Sequence, residues 1–182
     1  QLPVDILINN AGFGGRGSFV DRDLNQDLAM IDLNVKSLVT LTHLIASDMV
    51  ARKSGKILNV GSTAGMMPGP LQATYFATKA FVNSFSQAID HEMRAKGVTS
   101  TVLAPGYVQT EFAKIADLEG TGLAKQAGKT AEQTAKIGYD AMMRGKLHVV
   151  NETMLAIMVN WIIPMAPRRM VLNMIKGMQL KK

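Results

Sequence analysis

The chain contains no cysteine among its 182 residues, which excludes disulfide bonds and thiolate metal sites within it. Its three histidines, at positions 43, 91 and 148, stand singly, with no second histidine at ligand spacing. The sequence therefore predicts no metal site. A reducing compartment is compatible with the lack of cysteine, and we expect a cytoplasmic protein.

Acidic residues are missing from the end of the chain. After Glu152 there are five basic residues and no acidic one, so this end holds nearly all of the formal net charge of +6. Nucleic-acid binding would need a basic patch with stacking aromatic residues or a known module. Aromatic residues make up 5% of the chain, and Trp161 is the only one after Glu152. We therefore expect no nucleic-acid partner.

The rest of the composition is ordinary for a soluble globular protein, with 47% hydrophobic and 19% charged residues. A chain of 182 residues fits one domain with a sizeable core. We expect residues 1–182 to form a single domain, in which residues 153–182 are an apolar and basic helical extension.

Short apolar runs alternate with longer helical segments along the chain. The runs at residues 5–10, 56–61, 99–104 and 147–150 predict strands, and residues 25–53, 73–96 and 131–144 predict helices. This alternation predicts an α/β fold, in which a doubly wound parallel sheet of about four strands carries helices on both faces. Functional residues are then expected at the carboxyl ends of the strands.

Tyr75 and Lys79 are the most informative pair of residues. They lie four apart in a stretch free of glycine and proline, so a helix would place them on one face. A nearby ammonium favours phenolate and would draw the pKa of Tyr75 toward the range of a general acid or base. Ser62 ends the preceding apolar strand and could hydrogen-bond the oxygen that Tyr75 protonates. The three residues indicate a carbonyl–alcohol redox site.

Three further motifs occur in a fixed order around this set. Asn9-Asn10-Ala11-Gly12 follows the first strand, Asn34 lies in the first helix, and Pro105-Gly106-Tyr107-Val108-Gln109-Thr110 follows the third strand. Together with Ser62, Tyr75 and Lys79, they resemble the short-chain dehydrogenase/reductase family over residues 4–110. The resemblance implies a Rossmann-like fold.

The resemblance also implies a catalytic set of four residues. Tyr75 would donate or accept the proton, and Ser62 would orient the substrate oxygen. Lys79 would lower the pKa of Tyr75 and contact the nicotinamide ribose, while Asn34 would hold a water in a proton relay. The implied cofactor is NADP or NAD, with NADP slightly favoured. The residues implied at the cofactor are Asn9, Asn10, Ala11, Gly12, Tyr75, Lys79, Pro105, Gly106, Val108 and Thr110.

The chain departs from the family pattern at its start. Roughly eighty residues of the usual first half, with the glycine-rich turn that seats the pyrophosphate, do not precede Gln1. Residues 12–17 do not replace that turn, because no helix with apolar periodicity begins at their end. Gly128-Lys129-Thr130 does not replace it either, because no strand precedes it and the earlier glycine that such a site needs is missing. We therefore expect an incomplete domain that is inactive by itself. A protein that evolved without this half is the alternative.

Two further segments each have more than one interpretation. Residues 111–129 occupy the position of the family's substrate-binding lid, although an ordinary surface excursion has the same pattern. Residues 153–167 are uncharged and apolar, and Val171, Met174, Ile175 and Met178 follow at helical spacing. This extension could cover the pocket, pack on a partner subunit or contact an anionic membrane surface.

We therefore interpret the parent protein as an NAD(P)-dependent oxidoreductase that interconverts a ketone or aldehyde and an alcohol. The apolar extension suggests a small hydrophobic substrate. The family implies a homodimer or tetramer formed through the helices at residues 25–53 and 73–96. One alternative is a non-catalytic nucleotide-sensing or scaffold protein, and another is a reductase held at a membrane by its extension.

Overall fold

The computed structural model describes residues 3–125 and 128–181. Residues 126 and 127 of the predicted lid, and residues 1, 2 and 182, lie outside this part. The elements in chain order are β1 (Ile6–Asn9), α1 (Leu24–Ala51), β2 (Gly55–Val60), α2 (Ala73–Arg94), β3 (Val98–Leu103), β4 (Val108–Gln109), α3 (Phe112–Ile115), β5 (Lys129–Thr130), α4 (Ala131–Met143), β6 (His148–Val149), α5 (Thr153–Met165) and α6 (Arg168–Gln179).

The main sheet has four parallel strands in the order β1-β2-β3-β6. Its register places Ile57 of β2 beside Leu7 of β1 and Ser100 of β3. All four strands therefore end at the same edge. The predicted α/β class, the parallel sheet and the number of strands are confirmed.

Helices cover both faces of this sheet. On one face Ile57 packs with Met49 of α1 and Val98 in an apolar cluster. On the other face the next residue, Leu58, packs with Leu103 and with Met142 of α4. Because successive strand residues point to opposite faces, the continuous apolar run of β2 serves both layers. The doubly wound arrangement is confirmed.

Strand β1 lies at the edge of the sheet. Its side chains alternate, so that Leu7 and Asn9 are buried while Ile6 and Ile8 are 38% and 49% exposed. Edge strands with apolar faces can pair with a further strand. The Ile6 and Ile8 side chains therefore leave β1 a partly apolar edge.

Helix α1 differs from the predicted regular helix in its middle. Asp23 caps its first turn by accepting from the backbone N–H of Asn25. Residues Asp32–Ser37 then form a π-helical turn, and the α-helix resumes at Leu38. A π turn inserts an extra residue into the helix and often marks a functional position. Asn34 lies within it.

By length and composition alone, α1 is apolar enough to span a membrane. Helices that cover the core of a soluble domain meet the same criterion. Met30, Leu38, Ala46 and Met49 of α1 are buried inside this fold. We therefore describe α1 as a helix that covers the sheet.

The C-terminal helices pack close to α2, the helix that carries Tyr75. Val159 and Ile163 of α5, and Val171 and Ile175 of α6, are buried in one cluster with Tyr75. Val171 and Ile175, two of the four residues noted at helical spacing in the sequence, are the ones that α6 buries here. The extension thus forms part of the wall around Tyr75.

Candidate active site

Ser62 lies just beyond the carboxyl end of β2. Its backbone is fully extended, with φ −172° and ψ 155°, and a short 3-10 turn, Thr63–Met66, follows it. The Ser62 hydroxyl accepts from the backbone N–H of Ala64 at 3.1 Å and donates to the carbonyl oxygen of Pro105 at 3.4 Å. The end of β2 and the loop after β3 together therefore fix the orientation of Ser62.

Tyr75 and Lys79 lie on one face of α2, as their spacing predicts, and both are buried. The Lys79 ammonium lies 5.9 Å from the centroid of the Tyr75 ring. Its Nζ donates a hydrogen bond of 2.8 Å to the carbonyl oxygen of Val60 at the end of β2. The amine thus points toward the strand ends and the phenol, and connects the helix to the sheet.

Burial controls the ionisation of both side chains. Burial raises the pKa of Tyr75 to about 12, although a hydrogen bond with Ser62 opposes the rise. Burial also lowers the pKa of Lys79 to about 8. The expectation that Lys79 lowers the pKa of Tyr75 is wrong for this closed site. Loss of hydration is the largest cause of the shift in the Tyr75 pKa, and the Lys79 ammonium, which donates to Val60, is not among its causes.

Phe112 and Gly14 cover the Tyr75 ring. The Phe112 and Tyr75 rings lie 5.3 Å apart between centroids, with a 45° tilt. A Cβ atom on Gly14 would lie 2.8 Å from the Phe112 ring and 3.1 Å from the Tyr75 ring. Only glycine fits this contact without displacing a ring. Sequence reasoning missed the packing of Gly14 on Tyr75, because nothing local marks it.

The segment at residues 9–12, at the end of β1, lies beside Asn34 and Lys79. The Asn9 amide nitrogen donates to Thr42 at 2.9 Å and to the side chain of Asn59 at 2.7 Å, which holds the turn on the sheet. A Cβ atom on Gly12 would lie 2.9 Å from Asn34 and 3.5 Å from the Lys79 Nζ. The backbone from Asn10 through Ala11 to Gly12 is exposed. The structure therefore brings this turn, Asn34 and Lys79 together.

Asn34 connects the loop after β1 with α2. Its amide oxygen accepts from the backbone N–H of Phe13 at 3.1 Å. Its amide nitrogen donates to the Phe13 carbonyl at 2.9 Å and to the Thr78 hydroxyl at 3.1 Å. These bonds occupy the side chain with protein partners. The water-relay role of Asn34 stays a prediction.

The loop after β3 closes the site opposite the β1 turn. The Pro105 carbonyl accepts from the backbone N–H of Thr63 at 3.0 Å. The backbone N–H of Gly106 donates to the side chain of Asn151 at 3.0 Å. Sequence reasoning missed Asn151, because a single asparagine 45 residues away gives no local signal.

The remaining two cofactor candidates lie further along this loop. Val108 pairs in parallel with Lys129 through β4 and β5, which closes the base of the predicted lid. Thr110 is exposed, and its hydroxyl accepts from the backbone N–H of Phe112 at 3.2 Å. Thr110 therefore fixes the start of α3, which carries Phe112.

A nicotinamide nucleotide would meet the Lys79 amine, the exposed residues from Asn10 to Gly12 and the Pro105–Gly106 loop at the carboxyl ends of the strands. Gly12 lies against Lys79 with no side chain between them. An amine and exposed backbone groups are chemically suited to the ribose and carboxamide of the nicotinamide. Within residues 3–125 and 128–181 no glycine-rich turn leads from a strand directly into an α-helix, the arrangement that seats a pyrophosphate.

Comparison with known proteins agrees with this geometry. Residues 2–119 match the short chain dehydrogenase family model. The very-long-chain 3-oxoacyl-CoA reductase of Homo sapiens is 35% identical over 97% of this chain and 56% of its own. The 3-oxoacyl-[acyl-carrier-protein] reductase of Synechocystis sp. is 38% identical over 60% of this chain and 44% of its own.

Solved structures show the same fold. A short-chain dehydrogenase from Sphingobium yanoikuyae in complex with NADPH superposes with a TM-score of 0.78 at 26% identity, over 88% of this chain and 62% of that one. A 7beta-hydroxysteroid dehydrogenase superposes with a TM-score of 0.81 at 20% identity, over 94% of this chain and 67% of that one. The chain belongs to the short-chain dehydrogenase family, and spans about half the length of the curated relatives it matches.

The low pKa of Lys79 predicts a specific pH dependence of stability. Below about pH 8 the Lys79 ammonium is charged in both the folded and the unfolded chain. Above about pH 8 the folded chain loses this proton, while the unfolded chain keeps it up to the ordinary lysine pKa of 10.5. Stability from Lys79 should thus rise between about pH 8 and 10, by roughly 1 kcal/mol per pH unit. The raised pKa of Tyr75 acts in the opposite direction only above pH 10.

Urea unfolding of the protein and of Lys79→Met across this pH range measures the effect. The difference in free energy of unfolding between the two should grow with pH, and the exposed control Lys96→Met should follow the unsubstituted protein. Parallel curves for the protein and Lys79→Met would contradict the burial of a shifted lysine.

Proposed function

We propose that this chain is the catalytic portion of an NAD(P)-dependent oxidoreductase that interconverts a ketone or aldehyde and an alcohol. The observation that carries the proposal is the buried phenol of Tyr75, whose pKa Ser62 influences, with the Lys79 amine 5.9 Å from its ring. A bound nicotinamide cofactor would supply or accept the hydride.

The chain's own residues supply the proton and hold the substrate. In the reductive direction Tyr75 donates its proton to the substrate oxygen, and Ser62 holds that oxygen by a hydrogen bond. A pKa of about 12 keeps Tyr75 protonated at neutral pH, which is the form that reduction requires. Lys79 orients the cofactor ribose, and Asn34 with a water returns the proton to the site.

We infer that the substrate is hydrophobic, with a 3-oxoacyl thioester as the first class to test. Partly buried apolar side chains pack against the cluster that contains Tyr75, among them Met66, Met67, Phe112, Leu155 and Met178. Apolar surroundings favour an acyl chain beside the reacting carbonyl. The names of two similar proteins, both 3-oxoacyl reductases, point to the same substrate class.

Replacement of the Tyr75 hydroxyl tests the catalytic role. In the full-length protein, Tyr75→Phe should lower NADPH-dependent reduction of a 3-oxoacyl-CoA by at least about 10²-fold, because the general acid is lost. Cofactor affinity, measured by fluorescence titration, should change little.

The matched control is Tyr139→Phe, which removes the hydroxyl of a half-exposed tyrosine on α4. This variant should keep full turnover. An unchanged rate in Tyr75→Phe would refute the catalytic role. Cofactor binding without turnover in the unsubstituted protein would favour the alternative of a nucleotide-sensing or scaffold protein.

We further propose that the 182-residue chain alone is inactive, since its residues fit only the nicotinamide end of the cofactor. Titration of NADPH and NADH into this chain should show millimolar or weaker binding, while a full-length protein with a complete nucleotide-binding half should bind at least tenfold more tightly. Micromolar affinity of the chain alone would contradict this proposal. The same titration would decide between NADP, slightly favoured, and NAD.

A homodimer or tetramer formed through α1 and α2 is the proposed assembly. Leu41 and Leu44 of α1 are exposed, and Phe81 of α2 is exposed beside Phe85, with ring centroids 5.5 Å apart. These residues give the two helices an apolar outer surface.

We also propose a cytoplasmic protein that touches an anionic membrane through its extension. One face of α5 carries six exposed apolar residues at helical spacing: Met154, Ile157, Met158, Trp161, Ile162 and Met165. Arg168 and Arg169 follow directly and are exposed. An exposed apolar stripe with basic residues at its end suits the interface of an anionic bilayer.

Vesicle co-sedimentation tests this contact without disturbing the buried face of α5. Trp161→Ser with Met165→Ser, at positions 71% and 87% exposed, should lower binding to phosphatidylserine vesicles by at least about fivefold, because two inserted side chains are lost. The control pair Phe19→Ser and Val20→Ser, exposed elsewhere, should bind like the unsubstituted protein. Absence of binding to anionic vesicles would dismiss the contact.

A further inference from the structure

Asn83 shares the face of α2 that carries the two catalytic candidates. It lies four residues after Lys79 and eight after Tyr75, and its side chain is buried. The Asn83 amide oxygen accepts from the backbone N–H of Ser62 at 3.4 Å, and its amide nitrogen donates to the Ser62 carbonyl at 2.9 Å. One side chain therefore binds both backbone polar groups of Ser62.

The extended backbone of Ser62 makes this double contact possible. At φ −172° and ψ 155° the N–H and C=O of one residue point to the same side. Facing residues in antiparallel sheets exchange both hydrogen bonds in this geometry. Since β2 ends at Val60, Ser62 lies beyond the regular sheet, and the Asn83 amide takes the place of a partner strand.

Gly61 gives the amide its space. A Cβ atom at residue 61 would lie 1.9 Å from the Asn83 amide oxygen, so the contact requires glycine immediately before Ser62. The loop after β3 holds the next residue, because the backbone N–H of Thr63 donates to Pro105. Ser62 is thus fixed by α2 on one side and by the β3 loop next to it.

Asn83 and Tyr75 belong to one continuous helix, Ala73–Arg94. A clamp from this helix onto the Ser62 backbone therefore sets the distance between the Ser62 hydroxyl and the Tyr75 phenol. Both groups must reach the same substrate oxygen in the proposed reaction. Misplacement by about 1 Å can lower the rate of such a reaction by about 10²-fold.

We propose that Asn83 is a positioning residue that holds Ser62 in register with Tyr75. This inference rests on the proposed carbonyl–alcohol chemistry. In this proposal Asn83 contacts neither substrate nor cofactor. It affects turnover only because it positions Ser62.

A double-mutant cycle in the full-length protein tests the coupling. Asn83→Leu keeps the size of the side chain and removes both hydrogen bonds. It should lower kcat by about 10- to 100-fold while the Kd for cofactor changes less than about twofold. In a Ser62→Ala background the same change should lower kcat by less than about threefold, since residues that act as a unit are not additive.

Gln87→Met is the matched control. Gln87 lies one turn further along α2 and donates to the backbone carbonyl of Asn83 at 2.8 Å. Its substitution should leave kcat unchanged in both backgrounds. If the losses from Asn83→Leu and Ser62→Ala multiply, or if Asn83→Leu leaves kcat unchanged, the positioning role is overturned. If Asn83→Leu fails to fold, Asn83→Ala replaces it in the same double-mutant cycle.

Amide hydrogen exchange measures the clamp without turnover. The Ser62 amide should exchange at least about tenfold faster in Asn83→Leu than in Gln87→Met, because a buried hydrogen bond is lost. Equal exchange would overturn the clamp. If the unsubstituted protein reduces no carbonyl compound while this difference is present, the proposed function fails and the clamp stands as a structural contact.

Discussion

The hydrogen bond from the Lys79 Nζ to the Val60 carbonyl connects α2, the helix that carries Tyr75, to the central sheet. A buried ammonium needs a partner, because removing it from water is costly. The Val60 carbonyl at the end of β2 is the partner that this ammonium has in the structure. Tyr75 lies one turn before Lys79 and Asn83 one turn after, so this single bond sets where both side chains meet Ser62.

Burial favours the neutral forms of the two ionisable side chains in the site, Tyr75 and Lys79. Phe112, Gly14 and the C-terminal helices surround Tyr75, and loss of hydration favours the neutral form of both the phenol and the amine. The closed site therefore holds a protonated phenol, the form that a carbonyl reductase uses. Movement of the segment that carries Phe112 would admit water and return the Tyr75 pKa toward its ordinary value.

The sequence predicted the parts of this molecule that depend on local pattern. Periodicity located the four strands and the long helices, and the four-residue spacing placed Tyr75 and Lys79 on one face. Four features depend on contacts between residues far apart in the chain: the hydrogen bonds of Asn34, the packing of Gly14 on Tyr75, and the contacts of Asn83 and Asn151. No local pattern marks them. The direction of the Tyr75 pKa was mispredicted because spacing reveals proximity but not burial.

A crystal structure of the full-length protein with its oxidised nicotinamide cofactor and an alcohol product tests the central claim most directly. The account predicts the alcohol oxygen within about 3 Å of both the Tyr75 phenol and the Ser62 hydroxyl, at ordinary hydrogen-bond length. It also predicts the Lys79 amine beside the ribose. An alcohol oxygen bound away from Tyr75, or a Lys79 amine turned from the cofactor, would contradict it.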